Sequence, residues 1–345
     1  MLNIHSGFDG SGTLYQACKN IGLPVNRYWA NEIDPYAIKI AKKNHWDIKH
    51  LGDITDQYIP SCGDGIDLMV AGSPCQGFSF AGKQLAFNDS RSRLFFEWIK
   101  LFEKVKPKWF LFENVKMKQE HQDVISRYLG VQPIQINSSL LSAQNRKRLY
   151  WTNIPYHGLP EDKGIVLKDI LEHGFSDRNK SHCLDANYFK GGNLKSYFEK
   201  HRRQLVFSSD GLCHVGDAEE YAHYKYRSTK AVYHPDGKSP TLLTMTGGNR
   251  EPKVFIAQRP RGKNYGGIKA CDGKTPTLSS NAWEQNNFLV DSETLRWRKL
   301  TPLECERLQT LPDNYTEGVS NTQRYKMLGN GFTCAVIEHI LKGLL

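Results

Sequence analysis

The chain has 345 residues, 39% of them hydrophobic, enough for one large domain or two moderate ones around a packed core. A formal charge of +10 and a sequence pI of about 9.1 point to a polyanionic partner. Eight scattered cysteines without a Cys-x-x-Cys argue against zinc ribbons and dithiol redox sites, so no metal is expected; no apolar run reaches the length of a membrane span, and Met1-Leu-Asn-Ile-His-Ser lacks the pattern of a secretion signal. Reduced thiols in a cytoplasmic protein are the simplest expectation.

A first strand is expected over Leu2 to Phe8, then the glycine turn Phe8-Asp-Gly-Ser-Gly-Thr13 and a helix from Leu14 to Ile21. Glycines let a ligand approach the backbone, and a helix start offers free N–H groups, although an ordinary strand-to-helix turn reads the same way. A dinucleotide fingerprint fails, because it needs a third glycine at 15, where Tyr15 stands. The second strand, Val25 to Ala30, ends in Asn31-Glu32-Ile33-Asp34; a helix over Pro35 to Asn44 follows, and a third strand ends at Asp53-Ile54. Either acid alone suits a cap, but an acid about twenty residues after a glycine turn also suits ribose hydroxyls.

Leu68 to Gly72 reads as a fully buried fourth strand, after which Ser73-Pro74 turns the chain and presents Cys75. Pro74 stiffens one side of the thiol, while Gly77 and Gly82 loosen the other. Most free cysteines are inert small hydrophobes, yet a thiol at the carboxyl end of a buried strand sits where open α/β sheets bind ligands. Leu94 to Phe102 has helical spacing. Strand five, Trp109-Phe-Leu-Phe112, closes on Glu113-Asn114-Val115, a carboxylate in dry surroundings whose pKa burial would raise, or else a helix cap. Strand six, Gln132 to Asn137, precedes Gln144-Asn-Arg146-Lys-Arg148 and an aromatic strand at Leu149-Tyr-Trp151. Two arginines two apart on a strand share a face, and a guanidinium fork reads a carbonyl or a phosphate.

Composition changes near Gly158 to Gly164; residues 163–296 carry 21 Lys and Arg against 15 Asp and Glu and are rich in Gly, Asn, Ser and Tyr. Three stretches, Cys183 to Gly192, Asp236 to Gly248 and Asp272 to Asn281, read as an imperfect repeat of turn, short strand and polar loop, or as unrelated hairpins. Arg250, Arg259, Arg261 and Lys263 are long enough to reach phosphates or guanine edges. Regular patterning returns at Thr301-Pro302-Leu-Glu304, a capping-box start, and ends with Gly329-Asn330-Gly331-Phe332 and a helix over Cys334 to Leu344.

Gly72-Ser-Pro-Cys-Gln-Gly-Phe-Ser79, Glu113-Asn-Val115, Gln144-x-Arg146-x-Arg148, the glycine turn and Gly329-Asn330 stand in one order, and in that order the chain resembles the DNA cytosine-5 methyltransferases. The resemblance covers about 1–156 and 296–345, and 157–295 in character only. It implies an α/β fold: a Rossmann-like S-adenosylmethionine-dependent domain with a mixed, mostly parallel sheet (1–160 and 297–345) and a smaller β-rich target-recognition domain (161–296). It makes Cys75 the nucleophile and Glu113 the holder of the base. Arg146 would lie near the base, and Arg148 would support the catalytic loop, with Gln144 in the same set.

The implied cofactor residues are Phe8, Gly10, Gly12, Glu32, Ile33, Asp53, Ile54, Pro74, Leu94 and Asn330, with Glu32 on the ribose and Asp53 on the adenine amine. Gln76, Ser79, Lys83 and Arg91, on a loop that closes over a flipped cytosine, would touch double-stranded DNA. A monomer acting in a bacterial or phage-infected cell, with a restriction endonuclease as functional partner, completes the expectation. Thr13 and Phe332 depart from the family's pattern, which favours a small glycine at the first and Val-Pro from the second. A tRNA-modifying relative and a non-catalytic DNA-binding relative are the alternatives; an amino-methylating enzyme would carry Asp/Asn-Pro-Pro-Tyr where Ser73-Pro-Cys75 stands.

Overall fold

The computed structural model describes residues 1–58, 65–74, 93–192, 197, 200–207 and 297–345, with the strand backbones at 214–217, 231–233, 255–258, 267–270 and 287–289. The chain forms two compact units. The first is Met1–Ile170, Lys180–Gly191 and Thr301–Leu345; the second is Leu171–Asn179 and Gly192–Leu300. Among the described residues, no helix is long and apolar enough to cross a membrane.

In the first unit, β1 (Leu2–Gly7), β2 (Val25–Asn31), β3 (Lys49–Gly52), β4 (Leu68–Gly72), β5 (Trp109–Val115), β6 (Ile134–Asn137) and β7 (Lys147–Thr152) form one sheet in the order β3-β2-β1-β4-β5-β7-β6. Neighbours pair in parallel except β7, which runs antiparallel to β5 and β6. This is the mixed, mostly parallel, Rossmann-like α/β sheet expected from the sequence. Strand order reverses between β1 and β4, so a crevice opens at their carboxyl ends, where such sheets take ligands. Because β7 is reversed, its first residues lie beside the end of β5, with Arg148 opposite Val115.

Leu68 to Ala71 are wholly buried, as a continuous apolar run in a central parallel strand must be. Helices α1 (Thr13–Asn20) and α2 (Pro35–Asn44) follow β1 and β2. Helix α3 (Arg93–Val105) buries Phe95, Trp98, Ile99 and Leu101. Trp98 lies 5.3 Å from both Phe102 and Phe112, and Phe112 lies 5.9 Å from Trp151. Such ring pairs add about 0.5–1.5 kcal/mol each beyond the area they bury.

Helix α4 (Gln119–Leu129) was not foreseen, because its opening is polar and only Ile125, Ser126 and Leu129 are buried. The third strand stops at Gly52, short of the expected end. There the Asp53 carboxylate accepts the Thr55 N–H at 2.8 Å and starts a tight turn over Ile54–Asp56.

Helix α5 (Pro302–Leu308) begins with the expected capping box: Thr301 Oγ1 accepts from the Glu304 N–H at 3.2 Å, and Glu304 accepts from the Thr301 N–H at 2.8 Å. Helices α6 (Asn321–Asn330) and α7 (Cys334–Leu341) return to the glycine-turn side. Asn20 Nδ2 donates to Glu338 at 2.6 Å, and the Tyr315 hydroxyl donates to the Ser11 carbonyl at 2.8 Å.

In the second unit, β8 (Leu205–Phe207) pairs with β14 (Trp297–Lys299), β9 (His214–Asp217) with β10 (Ala231–Tyr233), and β11 (Phe255–Gln258) with β12 (Gly267–Ala270) and β13 (Asn287–Leu289), all antiparallel. Tyr197, Leu205 and Phe207 make a small core with Phe175. The expected repeat is corrected in its first copy. Cys183 to Gly192 holds a single tight turn at Tyr188–Lys190 and no strand, and up to Gly191 it belongs to the first unit. Backbone bonds Ser181 N–H to Ala143 (2.7 Å) and Asn145 N–H to Ser181 (2.9 Å) hold this segment there. The other two copies lie outside the described residues.

Candidate active site

The crevice is lined first by the glycine turn. Phe8 (φ 59), Gly10 (φ 64) and Gly12 (φ 80) take left-handed conformations after β1. Nothing lies within 4 Å of where a Gly10 Cβ would stand, so the turn's backbone is open to a ligand. The end of β2 is latched onto this turn. Glu32 accepts the Gly10 N–H at 2.8 Å with one oxygen, and the Ile33 and Asp34 N–H groups, each at 2.8 Å, with the other. Beside it the apolar side chain of Ile33 is 69% exposed. Asp53 is half-buried at the end of β3. Ile54, by contrast, is a core residue at 3% exposure, and Leu94 and Phe8 pack against the same cluster. Asn330 is exposed at the end of α6.

Sequence reasoning passed over Asp9, which is 4% exposed between Phe8 and Gly10. The Tyr28 hydroxyl donates to it at 2.6 Å. Burial pushes its carboxyl up to about 6, against the pull of the Ser6 and Tyr28 hydrogen bonds. An acid inside a glycine turn was the available signal.

The second wall is built on β4, β5 and β7. Gly72 pairs with Glu113 in register. Asn114 Nδ2 donates to Ser73 Oγ at 3.2 Å, which ties the turn before half-buried Pro74 to the neighbouring strand. Arg148 Nε lies 3.0 Å from Glu113 Oε1, both side chains being nearly enclosed at 13% and 12% exposure. Burial pushes the Glu113 carboxyl above its ordinary range; Arg148 and Arg146 pull it back without cancelling the rise.

Arg146 itself is 3% exposed and donates to backbone carbonyls: Leu184 at 3.0 Å, Gly329 at 3.2 Å and Gly331 at 2.9 Å, with Cys183 Sγ at 3.5 Å. Those donors hold chain segments together, on the same side of the site as Glu113, whose carboxyl Arg146 also influences. Gln144 is likewise a buried brace, accepting the Leu184 N–H at 2.8 Å and donating to the Leu308 carbonyl at 3.3 Å. Among the described residues no group of three or more His, Cys, Asp or Glu is placed to hold a metal ion. Cys75, Gln76, Ser79, Lys83, Arg91, Arg250, Arg259, Arg261 and Lys263 lie outside the described residues.

A family model described as C-5 cytosine-specific DNA methylase matches residues 2–345. The orphan methyltransferase M.Rho11sI of Bacillus phage rho11s is 27% identical over 495 residues, covering 100% of this chain and 98% of its own. The type II methyltransferase M.NlaIV of Neisseria lactamica is 27% identical over 426 residues, covering 100% and 96%. In fold the chain is similar to a mutant DNMT2 of Spodoptera frugiperda (TM-score 0.59, 18% identity, 100% and 99% covered) and to the Dnmt2 methyltransferase of S. pombe (TM-score 0.53, 18% identity, 100% and 99% covered).

Proposed function

Because the chain belongs to the C-5 cytosine-specific DNA methylase family, we propose that it is a sequence-specific DNA cytosine-5 methyltransferase with Cys75 as its nucleophile and S-adenosylmethionine as its cofactor. The observation that carries this reading is the pairing of Gly72 with Glu113. It sets a buried carboxylate, gripped by Arg148 at 3.0 Å, beside the strand that leads three residues later to Cys75.

The residues at the ends of β1, β2 and β3 suit the cofactor. The open Gly10 backbone admits it closely, the Glu32 carboxylate takes the ribose hydroxyls, Ile33 covers an adenine face, and Asp53 accepts from the adenine amine. Cofactor loading itself is open to test. Glu32→Ala removes a carboxylate from this cradle and should weaken S-adenosylmethionine binding at least about tenfold, the scale of a charge-assisted hydrogen bond. Calorimetry reads it, and an unchanged dissociation constant removes Glu32 from the ribose.

Cytosine C5 is a poor nucleophile. The Cys75 thiolate adds to C6, and the electron pair of the 5,6 double bond moves to C5, making it enamine-like. Glu113 in its acid form donates to N3 as that nitrogen gains electron density, and it accepts from the exocyclic amine. S-adenosylmethionine supplies the methyl group that C5 takes. The C5 proton then passes to solvent as the Cys75 thiolate leaves, and N3 returns its proton to Glu113, which restores the ring and the acid. A stacked base hides C5 and C6, so the target must leave the duplex.

The substrate is double-stranded DNA, bound by a monomer. The second unit, with most of the net charge of 163–296, reads the target sequence. A chimera carrying 163–296 of a relative with another target should therefore methylate that other target; retention of the original one moves recognition elsewhere. The names of the relatives, orphan and type II methyltransferases, support a modification role either alone or beside a restriction endonuclease. The direct test incubates the purified protein with methyl-labelled S-adenosylmethionine and either DNA or tRNA, then digests to nucleosides. Label in 5-methyldeoxycytidine supports the reading; label confined to tRNA replaces it with the tRNA-modifying alternative.

A further inference from the structure

Gly72 lacks a side chain for a reason its neighbours supply. A Cβ there would stand 2.8 Å from Phe332 Cε1 and 3.2 Å from Glu113 Oε2, so ring, strand and carboxylate converge on one point. Phe332 is 8% exposed and is one of the departures from the family pattern, an aromatic ring where the resemblance leads to valine. The backbone that carries it is held firmly. Arg146 donates to the carbonyls of Gly329 and Gly331, Thr333 Oγ1 donates to Gln309 Oε1 at 2.9 Å, and Ser138 Oγ donates to Thr333 Oγ1 at 2.9 Å. The ring is thus carried on a fixed backbone and is itself buried.

We propose that Phe332 is a positioning residue for Glu113: its ring shuts water out on the Gly72 side and leaves the carboxylate one orientation, the one Arg148 grips. The inference rests on the reading of Glu113 as the group that holds the base. It also gives Arg146 a task, which is to hold the segment that bears the ring.

Among the described residues, the charged and titratable groups facing Glu113 are Arg148 at 3.0 Å and the buried phenol of Tyr150, both on β7, and Arg146 just before it. On its own strand Asn114 is neutral, and Gly72 and Phe332 bring no charge. Trimming the ring therefore changes hydration on one side of the carboxylate and leaves its cations in place. With water admitted, the charged form is better solvated and the carboxyl titrates at lower pH.

The test uses the full chain with Phe332→Val and Phe332→Leu, two trims mild enough to keep the fold. Two readouts are taken: the pH titration of the Glu113 carboxyl carbon by NMR, and methyl transfer to DNA across pH. In Phe332→Val the carboxyl midpoint should move to lower pH, the alkaline limb of kcat should move with it, and kcat at neutral pH should drop about tenfold, within the span of general acid catalysis. Phe332→Leu, which keeps more of the wall, should recover most of each. An unmoved carboxyl midpoint in both variants overturns the proposal. A midpoint that moves in a protein whose wild type labels no cytosine keeps the wall and sinks the catalytic reading it serves.

Discussion

Cys75→Ala should abolish methyl transfer while leaving DNA binding in place. Without a thiolate to add at C6, C5 never becomes nucleophilic, and everything else the site does is preparation for that addition. Loss of a nucleophile typically costs several powers of ten in turnover, so a drop of at least about 10⁴-fold is expected. Binding should have other sources, since a formal charge of +10 favours phosphates through residues that this change does not touch. Labelled methyl transfer and gel mobility, run on the same preparation, separate the two. Turnover within tenfold of wild type means that Cys75 is not the nucleophile.

Glu113→Gln should cost about 10²–10³-fold in kcat, with S-adenosylmethionine affinity unchanged. The amide keeps the volume but cannot pass a proton toward N3, and it gives up the ion pair with Arg148. The pH dependence follows from the direction in which burial moves this group. The acid form is the working one, so turnover falls as pH rises through the Glu113 pKa, and a raised pKa extends activity upward in pH. Glu113→Gln should therefore lose the alkaline limb that Glu113 sets. A glutamine variant that keeps that limb unaltered assigns it to another group.

The central strands were legible because β4 and β5 are short apolar runs closed by glycine or an acid. Leu68 to Gly72 and Trp109 to Phe112 need both faces covered, and only a central strand offers that. The α5 capping box was legible for the same local reason. Helix α4 was not, since tertiary packing of Ile125 and Leu129 holds it and its own first turns carry no apolar periodicity.

In the site, residue identity could be read but side-chain direction could not. Arg146 and Arg148 share a strand face in principle, yet one is drawn into four backbone and thiol contacts and the other onto Glu113, a division set by the returning segments 183–184 and 329–331. Ile54, which the resemblance assigns to the cofactor, has its side chain in the core, and the Asp53 cap turns the chain just before it. Phe332 was visible only as a departure from a pattern; its partner, Gly72, is 260 positions away in the chain and adjacent in space.

Methylation at C5 of cytosine in DNA is read by base-resolution bisulfite sequencing of a plasmid from cells that express the protein, beside a Cys75→Ala control. Cytosines should be protected in one short motif, with no protection in the control. A plasmid with every cytosine converted, from cells whose protein is shown to bind S-adenosylmethionine, contradicts that activity.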